Sequence, residues 1–285
     1  MKIISTVSKL RQQINKTQLI PLGLVPTMGA LHEGHLSLVR NAVSQCPLVI
    51  VSIYVNPTQF NDKEDLRNYP RPLKKDLALL HKTLRVNDMV FTPDDREMYP
   101  VEDKRVFSFG SLETVMEALH RPGHFNGVAQ IVSRLFDIID PDVAFFGLKD
   151  FQQVAVIKEL VRQNKYKVRI AVNHVVRDSD GLAMSSRNIL LEPGDRKNAP
   201  VIYKTISEAV DILKKTDIPE VKDYVKKSIE KKSGFRVEYF EIVDDKKLIP
   251  LNSKKEMKRG NRYYGCIAVI AGKIRLIDNI EFLLV

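Results

Sequence analysis

The chain has 285 residues, 44% hydrophobic and 28% charged, an ordinary globular balance with material for one large or two smaller domains. No apolar run approaches the ~20 residues that span a bilayer, and Met1-Lys2-Ile3-Ile4-Ser5 lacks the charged, apolar and cleavage regions of a signal peptide. Net charge is +10, yet the lysines fall in helical patterns such as Lys214-Lys215, Lys226-Lys227 and Lys231-Lys232 without interleaved aromatics, so a solvated face is expected and not a nucleic-acid surface.

Ile3 to Ile14 carries apolar residues at helical spacing and predicts an opening helix. Leu19 to Val25 reads as a short apolar strand, followed by Pro26-Thr27-Met28-Gly29-Ala30-Leu31-His32-Glu33-Gly34-His35. Leu36, Leu38, Val39, Ala42 and Val43 then predict a helix starting near Gly34. Two histidines three residues apart therefore sit in a strand-to-helix turn. Such a turn is expected to present unpaired backbone N–H groups and the positive end of a helix dipole, where phosphates bind. The dipole disfavours imidazolium, so each ring is expected to be a neutral N–H donor. Gly29 and Gly34 remove side chains where a nucleotide approaches. H-x-G-H after a strand has the form of the nucleotidyltransferase signature, with a zinc site or two surface histidines as the alternative. Zinc requires two more suitable ligands, and no Cys/His cluster follows.

Pro47 to Val55 is a continuous apolar run, the mark of a parallel strand covered on both faces. It ends in Asn56-Pro57-Thr58-Gln59-Phe60, at the strand edge where ligands bind in open α/β sheets. Asp62 to Pro72 reads as a charged loop, Leu73 to Leu84 as a helix and Met89-Val90-Phe91 as a strand. Arg105 to Phe109 is expected as an edge strand and Leu112 to Leu119 as a short helix. Arg121-Pro122-Gly123-His124 then leads to a helix over Val128 to Ile139. Asp142 to Gly147 is strand-like and runs through Leu148-Lys149-Asp150 into a helix ending near Asn164; Arg169 to Val176 closes this half as a strand. Alternating strands and helices argue a doubly wound parallel sheet.

Composition changes after Val176. Asp178-Ser179-Asp180-Gly181 is turn chemistry, followed by Met184-Ser185-Ser186-Arg187-Asn188. Two lysine-rich helices are expected from Glu192, then a strand over Phe235 to Val243 and a hairpin over Tyr263 to Ile270 and Lys273 to Asp278. Expected domains are residues 1–176, Rossmann-like, and 177–285, smaller and α+β. Cys46 and Cys266 are isolated and read as small buried hydrophobes; a reducing cytoplasm is the expected compartment.

Polar clusters fall at predicted strand ends or the domain boundary: His32/His35, Asn56/Gln59, Arg121/His124, Lys149/Asp150/Gln153 and Ser185/Ser186/Arg187. The segments PTMGALHEGHLSLV, VNPTQF, NYPR, RPGHFNGV, FFGLKDFQQ and DGLAMSSRN resemble, in order and spacing, those of the pantothenate synthetase (pantoate–β-alanine ligase) family. The resemblance implies a fold akin to HIGH-type nucleotidyltransferases and an ATP-dependent condensation of (R)-pantoate with β-alanine through a pantoyl adenylate. It places Met28, Gly29, Ala30, Leu31, His32, Glu33, Gly34 and His35 in the ATP site, with His35 as proton donor. Gly147, Leu148, Lys149, Asp150, Val176, Met184, Ser185, Ser186 and Arg187 match further ATP-binding segments. Gln59 matches a residue near pantoate and β-alanine, and Gln153 a pantoate ligand. Asn56, Arg121 and His124 join this substrate set, the last two with a domain or dimer contact as the alternative. Asp76 matches an aspartate near magnesium and the phosphates, and a homodimer is implied. Leu148 stands where many members have Glu or Gln, so a backbone contact is what carries over there. His32, His35, Lys149, Ser185, Ser186 and Arg187 offer donors for the charge that develops at phosphorus. The alternatives are a nucleotidyltransferase releasing an activated product and a basic RNA-binding module; Gln59 with Gln153, a small-acid pocket without stacking aromatics, favours the ligase.

Overall fold

The computed structural model describes residues 1–17 and 19–282. Contacts divide the chain into two units: Met1–Phe109, Arg121–Leu148 and Val156–His174 form the first; Gly110–His120, Lys149–Ala155 and Val175–Val285 the second.

The first unit is built on strands β1 (Lys2–Ile4), β2 (Leu22–Thr27), β3 (Leu48–Ile53), β4 (Met89–Phe91), β5 (Val143–Gly147) and β6 (Arg169–Asn173). All pairings are parallel, in the order β1-β4-β3-β2-β5-β6. Up to β6 the helices in chain order are α1 (Val7–Thr17), α2 (Glu33–Gln45), α3 (Lys63–Asn68), α4 (Leu73–His81), α5 (Asp95–Met98), α6 (Glu117–His120), α7 (His124–Ile139) and α8 (Phe151–Asn164), of which α6 and the start of α8 belong to the second unit. The doubly wound expectation holds because β3 and β5 are apolar on both faces, and only a sheet covered on both sides buries such strands. Val25, Val39, Val49, Val51, Leu80 and Phe145 form part of that core. β2 and β5 are neighbours, and the chain leaves β2 for β3 on one side and β5 for β6 on the other, so their carboxyl ends flank a topological switch point.

Several local expectations change. Lys2–Ile4 is not helical: it adds an edge strand to β4, with Lys2 N–H donating to Asp88 O at 2.8 Å and Thr92 N–H to Ile4 O at 2.8 Å. The helix starts only at Val7 and runs to Thr17. The charged 62–72 stretch contains α3, because the Asp62 side chain caps it by accepting the Glu64 N–H at 2.7 Å. Arg105–Phe109 forms no strand; α7 side chains take the place of a neighbouring strand. Phe107 N–H donates to Asn126 Oδ1 at 2.9 Å, and Gln130 Nε2 donates to Asp103 O and Arg105 O, each at 2.9 Å. The helix expected over 112–119 breaks into a turn at Gly110–Glu113 and α6, with Met116 at φ +45° between them.

The second unit contains a three-stranded antiparallel sheet, β7 (Phe235–Asp244), β8 (Tyr263–Ala271) and β9 (Ile274–Phe282). Three helices, not two, precede it: α9 (Pro193–Asn198), α10 (Val201–Lys215) and α11 (Ile218–Glu230). Ile206, Ala209, Val221, Val225 and Ile229 share a core with Ile242, Ile267 and Leu276. Gln152 secures the 110–120 segment in this unit, accepting the Glu117 N–H at 2.9 Å and donating to Leu112 O and Val115 O at 2.7 and 2.9 Å. Among the described residues no helix is long and apolar enough to cross a membrane.

Candidate active site

The histidine turn sits at the carboxyl end of β2, and its backbone is shaped by two consecutive left-handed residues, Gly29 (φ +77°) and Ala30 (φ +49°). Glycine is needed at the first: an added Cβ lies 3.0 Å from both Asp76 Oδ2 and Ile53 Cγ2. Ala30 holds its strained conformation because Asp76, 1% exposed, accepts the Ala30 N–H at 2.9 Å and the Leu31 N–H at 2.8 Å. Burial pushes the Asp76 carboxyl above its ordinary range, while the two N–H groups and Lys75 pull it back.

This corrects the expectation of unpaired N–H groups. Gly29 N–H donates to Thr27 Oγ1 at 3.2 Å, Ala30 and Leu31 to Asp76, and Gly34 N–H to His32 Nδ1 at 3.1 Å. An anion does fill the turn, but it is the chain's own carboxylate. The two imidazoles are held by the same backbone. His32 caps α2, and the His32 N–H donates to His35 Nδ1 at 3.4 Å, closing a capping box between the two rings. Each Nδ1 accepts a backbone N–H, so each neutral ring carries its proton on Nε2 and is a donor there. The ring centroids are 4.1 Å apart. Glu33 pairs with Arg40.

The turn after β3 is held from below. Asn56, 1% exposed, donates Nδ2 to Gly127 O at 3.1 Å and accepts the Tyr99 hydroxyl at 2.8 Å. Gly127 is the residue that lets α7 approach: an added Cβ would lie 2.3 Å from Thr58 O. His124 Nδ1 lies 2.8 Å from Gln59 O, and Arg121 donates to the same carbonyl at 3.4 Å. Gln59 Nε2 donates to Met28 Sδ at 2.7 Å, bringing the glutamine against the histidine turn. Gly147 ends β5, and Leu148 N–H donates to Asn173 O at 2.8 Å. Asn173 Nδ2 donates to Ser37 O of α2 at 3.3 Å and its Oδ1 accepts from Asn41 at 2.7 Å, a tie that nothing in the sequence pattern singled out.

In the second unit Lys149 Nζ lies 3.1 Å from Asp150 Oδ1, its side chain 20% exposed. Gln153 is half-buried in the first turn of α8, beside the fully bonded Gln152. Val176 O accepts the Met184 N–H at 3.0 Å, and Arg177 bridges Ala183, folding 176–184 back on itself. Ser185 Oγ accepts the Arg187 N–H at 3.2 Å and caps a short 3-10 turn, Ser186–Leu190. Met184 through Arg187 are all half-buried. Among the described residues no three His, Cys, Asp or Glu side chains are grouped to hold a metal ion. Tyr99, Gly127 and Asn173 therefore shape the site in ways the motifs did not reveal, with only the glycine inside RPGHFNGV leaving a trace; Asp76, expected near magnesium and the phosphates, here holds the turn.

A known "Pantothenate synthetase" of Bacteroides thetaiotaomicron is 47% identical over 284 residues, 99% of each chain. A solved pantothenate synthetase of Thermus thermophilus superposes with a TM-score of 0.90 at 39% identity, over 100% of both chains. A pantoate-β-alanine ligase of Francisella tularensis, solved in complex with "beta-gamma ATP" and β-alanine, gives a TM-score of 0.78 at 34% identity over 98% of this chain and 97% of that one. The family model described as pantoate-beta-alanine ligase matches residues 2–281, and the chain belongs to that family.

Proposed function

We propose that this chain condenses pantoate with β-alanine at the expense of ATP, through a pantoyl adenylate, releasing pyrophosphate and then AMP. The observation that carries the reading is the two-histidine cap at the switch point, whose tautomers are set by backbone N–H groups so that both rings are Nε2 donors. In the first step a pantoate carboxylate oxygen bonds to the α-phosphorus as the bond to pyrophosphate breaks. His32 and His35 donate to the oxygens that gain charge, with His35 the proton donor. Lys149, Ser185, Ser186 and Arg187 add positive potential and donors for the phosphates, and Met28 to Leu31, Glu33, Gly34, Gly147, Leu148, Asp150, Val176 and Met184 line the nucleotide. Gln59 and Gln153 recognise pantoate, Gln59 also serving β-alanine, while Asn56, Arg121 and His124 act through the loop that carries Gln59.

In the second step the β-alanine amine attacks the activated carbonyl and AMP leaves; the anhydride is already reactive, so no protein nucleophile is required. Its lability calls for exclusion of water, a lid role we assign to residues 177–285, with 1–176 binding ATP and pantoate. Bound with the triphosphate, magnesium would neutralise its charge. Asp76, both of whose oxygens accept loop N–H groups, serves that end by shaping the turn. The working form in this reading is a cytoplasmic homodimer.

The test is product formation with substrates supplied together and singly. Amide and AMP are expected only with pantoate, β-alanine and ATP together, and pantoate-dependent exchange of labelled pyrophosphate into ATP without β-alanine. AMP formed without β-alanine and with no amide product sinks the reading.

A further inference from the structure

Within the second unit a buried ion pair and the asparagine beside it meet both segments to which the proposed function gives phosphate-directed side chains. Asp278, in β9, is 5% exposed and accepts from both Nη atoms of Arg177, at 2.6 and 2.9 Å. The same guanidinium donates to Gly181 O at 3.2 Å and Asn279 O at 3.3 Å, and lies 3.6 Å from the Tyr203 ring centroid. The Asp278 carboxylate also accepts the Asn279 N–H at 2.7 Å. Asn279, 3% exposed, in turn donates Nδ2 to Lys149 O at 3.1 Å. One end of the network thus reaches the 181–187 stretch, which Arg177 also meets as a backbone bridge to Ala183, and the other reaches Lys149.

A buried ion pair adds little net stability over apolar side chains of equal volume, because desolvation offsets the attraction. What it contributes here is geometry: a guanidinium fork and a carboxylate with defined directions, ending on two backbone carbonyls. We propose that Arg177, Asp278 and Asn279 are positioning residues for adenylation, setting the place of Lys149 and of Met184–Arg187 without touching substrate. The inference rests on the proposed function, in which Lys149 and Ser185–Arg187 serve the phosphates.

Asn279→Ala removes the bond to Lys149 O and leaves the Arg177 and Asp278 side chains in place. Pantoate-dependent pyrophosphate exchange is measured in wild type, Asn279→Ala, Lys149→Ala and the double variant. The expected kcat for exchange in Asn279→Ala falls about 10- to 100-fold, as a misplacement of about 1 Å does, with the pantoate KM held. In the Lys149→Ala background the same substitution has no further effect, because the side chain it positions is gone. Exchange at the wild-type rate in Asn279→Ala, or an equal loss in both backgrounds, overturns the inference. Should Asn279→Ala lack a cooperative thermal transition, Arg177→Lys carries the test. It keeps the charge opposite Asp278 but loses the fork; the same fall is expected, and a wild-type rate again overturns the inference. Absence of pantoate-dependent exchange in the wild type refutes the proposed reaction itself, and this inference falls with it.

Discussion

The two units secure the polar side chains of the candidate site by different means. In the first, the histidine turn is closed by short-range bonds and a single carboxylate: Gly29, Ala30, Leu31, His32 and Gly34 all give their N–H groups to Thr27, Asp76 or the two rings. In the second, Lys149 and the 181–187 stretch are tied to β9 by a buried arginine–carboxylate pair and an asparagine, through backbone carbonyls. The first arrangement rests at the end of a sheet strand and sets tautomers as well as positions. The second leaves Met184 through Arg187 half-buried and holds them by their backbone. The former fixes donors in place beforehand; the latter leaves side chains room to adjust.

The contrast is tested most severely by His35→Ala. If the turn is a preorganised donor site, the variant still unfolds cooperatively, losing only the capping bond from the His32 N–H, and drops about 10²–10³ in adenylation, as for one transition-state donor. Positional isotope exchange within ATP, given pantoate alone, reads that loss; exchange at the wild-type rate removes His35 from the mechanism.

Asp76→Asn sharpens the comparison from beneath the loop. The amide accepts one loop N–H and turns its own NH₂ toward the other, leaving a buried donor unsatisfied at a cost of about 1–3 kcal/mol. Urea denaturation should show that loss, and adenylation should fall with it because both rings depend on the turn. Unchanged stability would mean that Ala30 and Leu31 do not need the carboxylate.

Gly127→Ala separates loop support from substrate contact. Its methyl collides with Thr58 O, so α7 or the 57–59 turn must give way, at about 1–3 kcal/mol for an overpacked contact. The pantoate KM is expected to rise in this variant as in Gln59→Ala, with ATP affinity by calorimetry nearly unchanged. Weakened ATP binding with normal pantoate affinity would move Gln59 to the nucleotide.

The smallest effect belongs to an exposed ion pair, a foil for the buried one. Arg162 holds the Glu159 carboxyl down to about 2. A folded value below the unfolded ~4.3 gives stability that is present above that pH and lost as pH falls toward 2. The melting difference between wild type and Glu159→Gln should therefore shrink across that window. It should also fade at 1 M salt, where the screening length is about 3 Å. A difference that persists at pH 2 would assign the effect to packing.

By itself the sequence determined the layers. Two-faced apolar runs at 48–53 and 143–147 demand a covered parallel sheet, helical periods mark α2, α7 and α8, and the glycine and histidine spacing marks the turn. These are local properties: period and turn chemistry record which side of a segment is apolar and where a chain must bend. Which distant group satisfies a buried polar atom was decided only in three dimensions. Lys2–Ile4 became a strand because β4 offered it backbone partners, and Arg105–Phe109 did not because Asn126 and Gln130 supplied side-chain ones. The turn's N–H groups found Asp76, 45 and 46 residues away, and the Lys149 carbonyl found Asn279, 130 residues away. Hydrogen bonds across such separations leave no period in the chain, because each needs one partner of suitable type brought within about 3 Å, and tertiary packing alone supplies that distance.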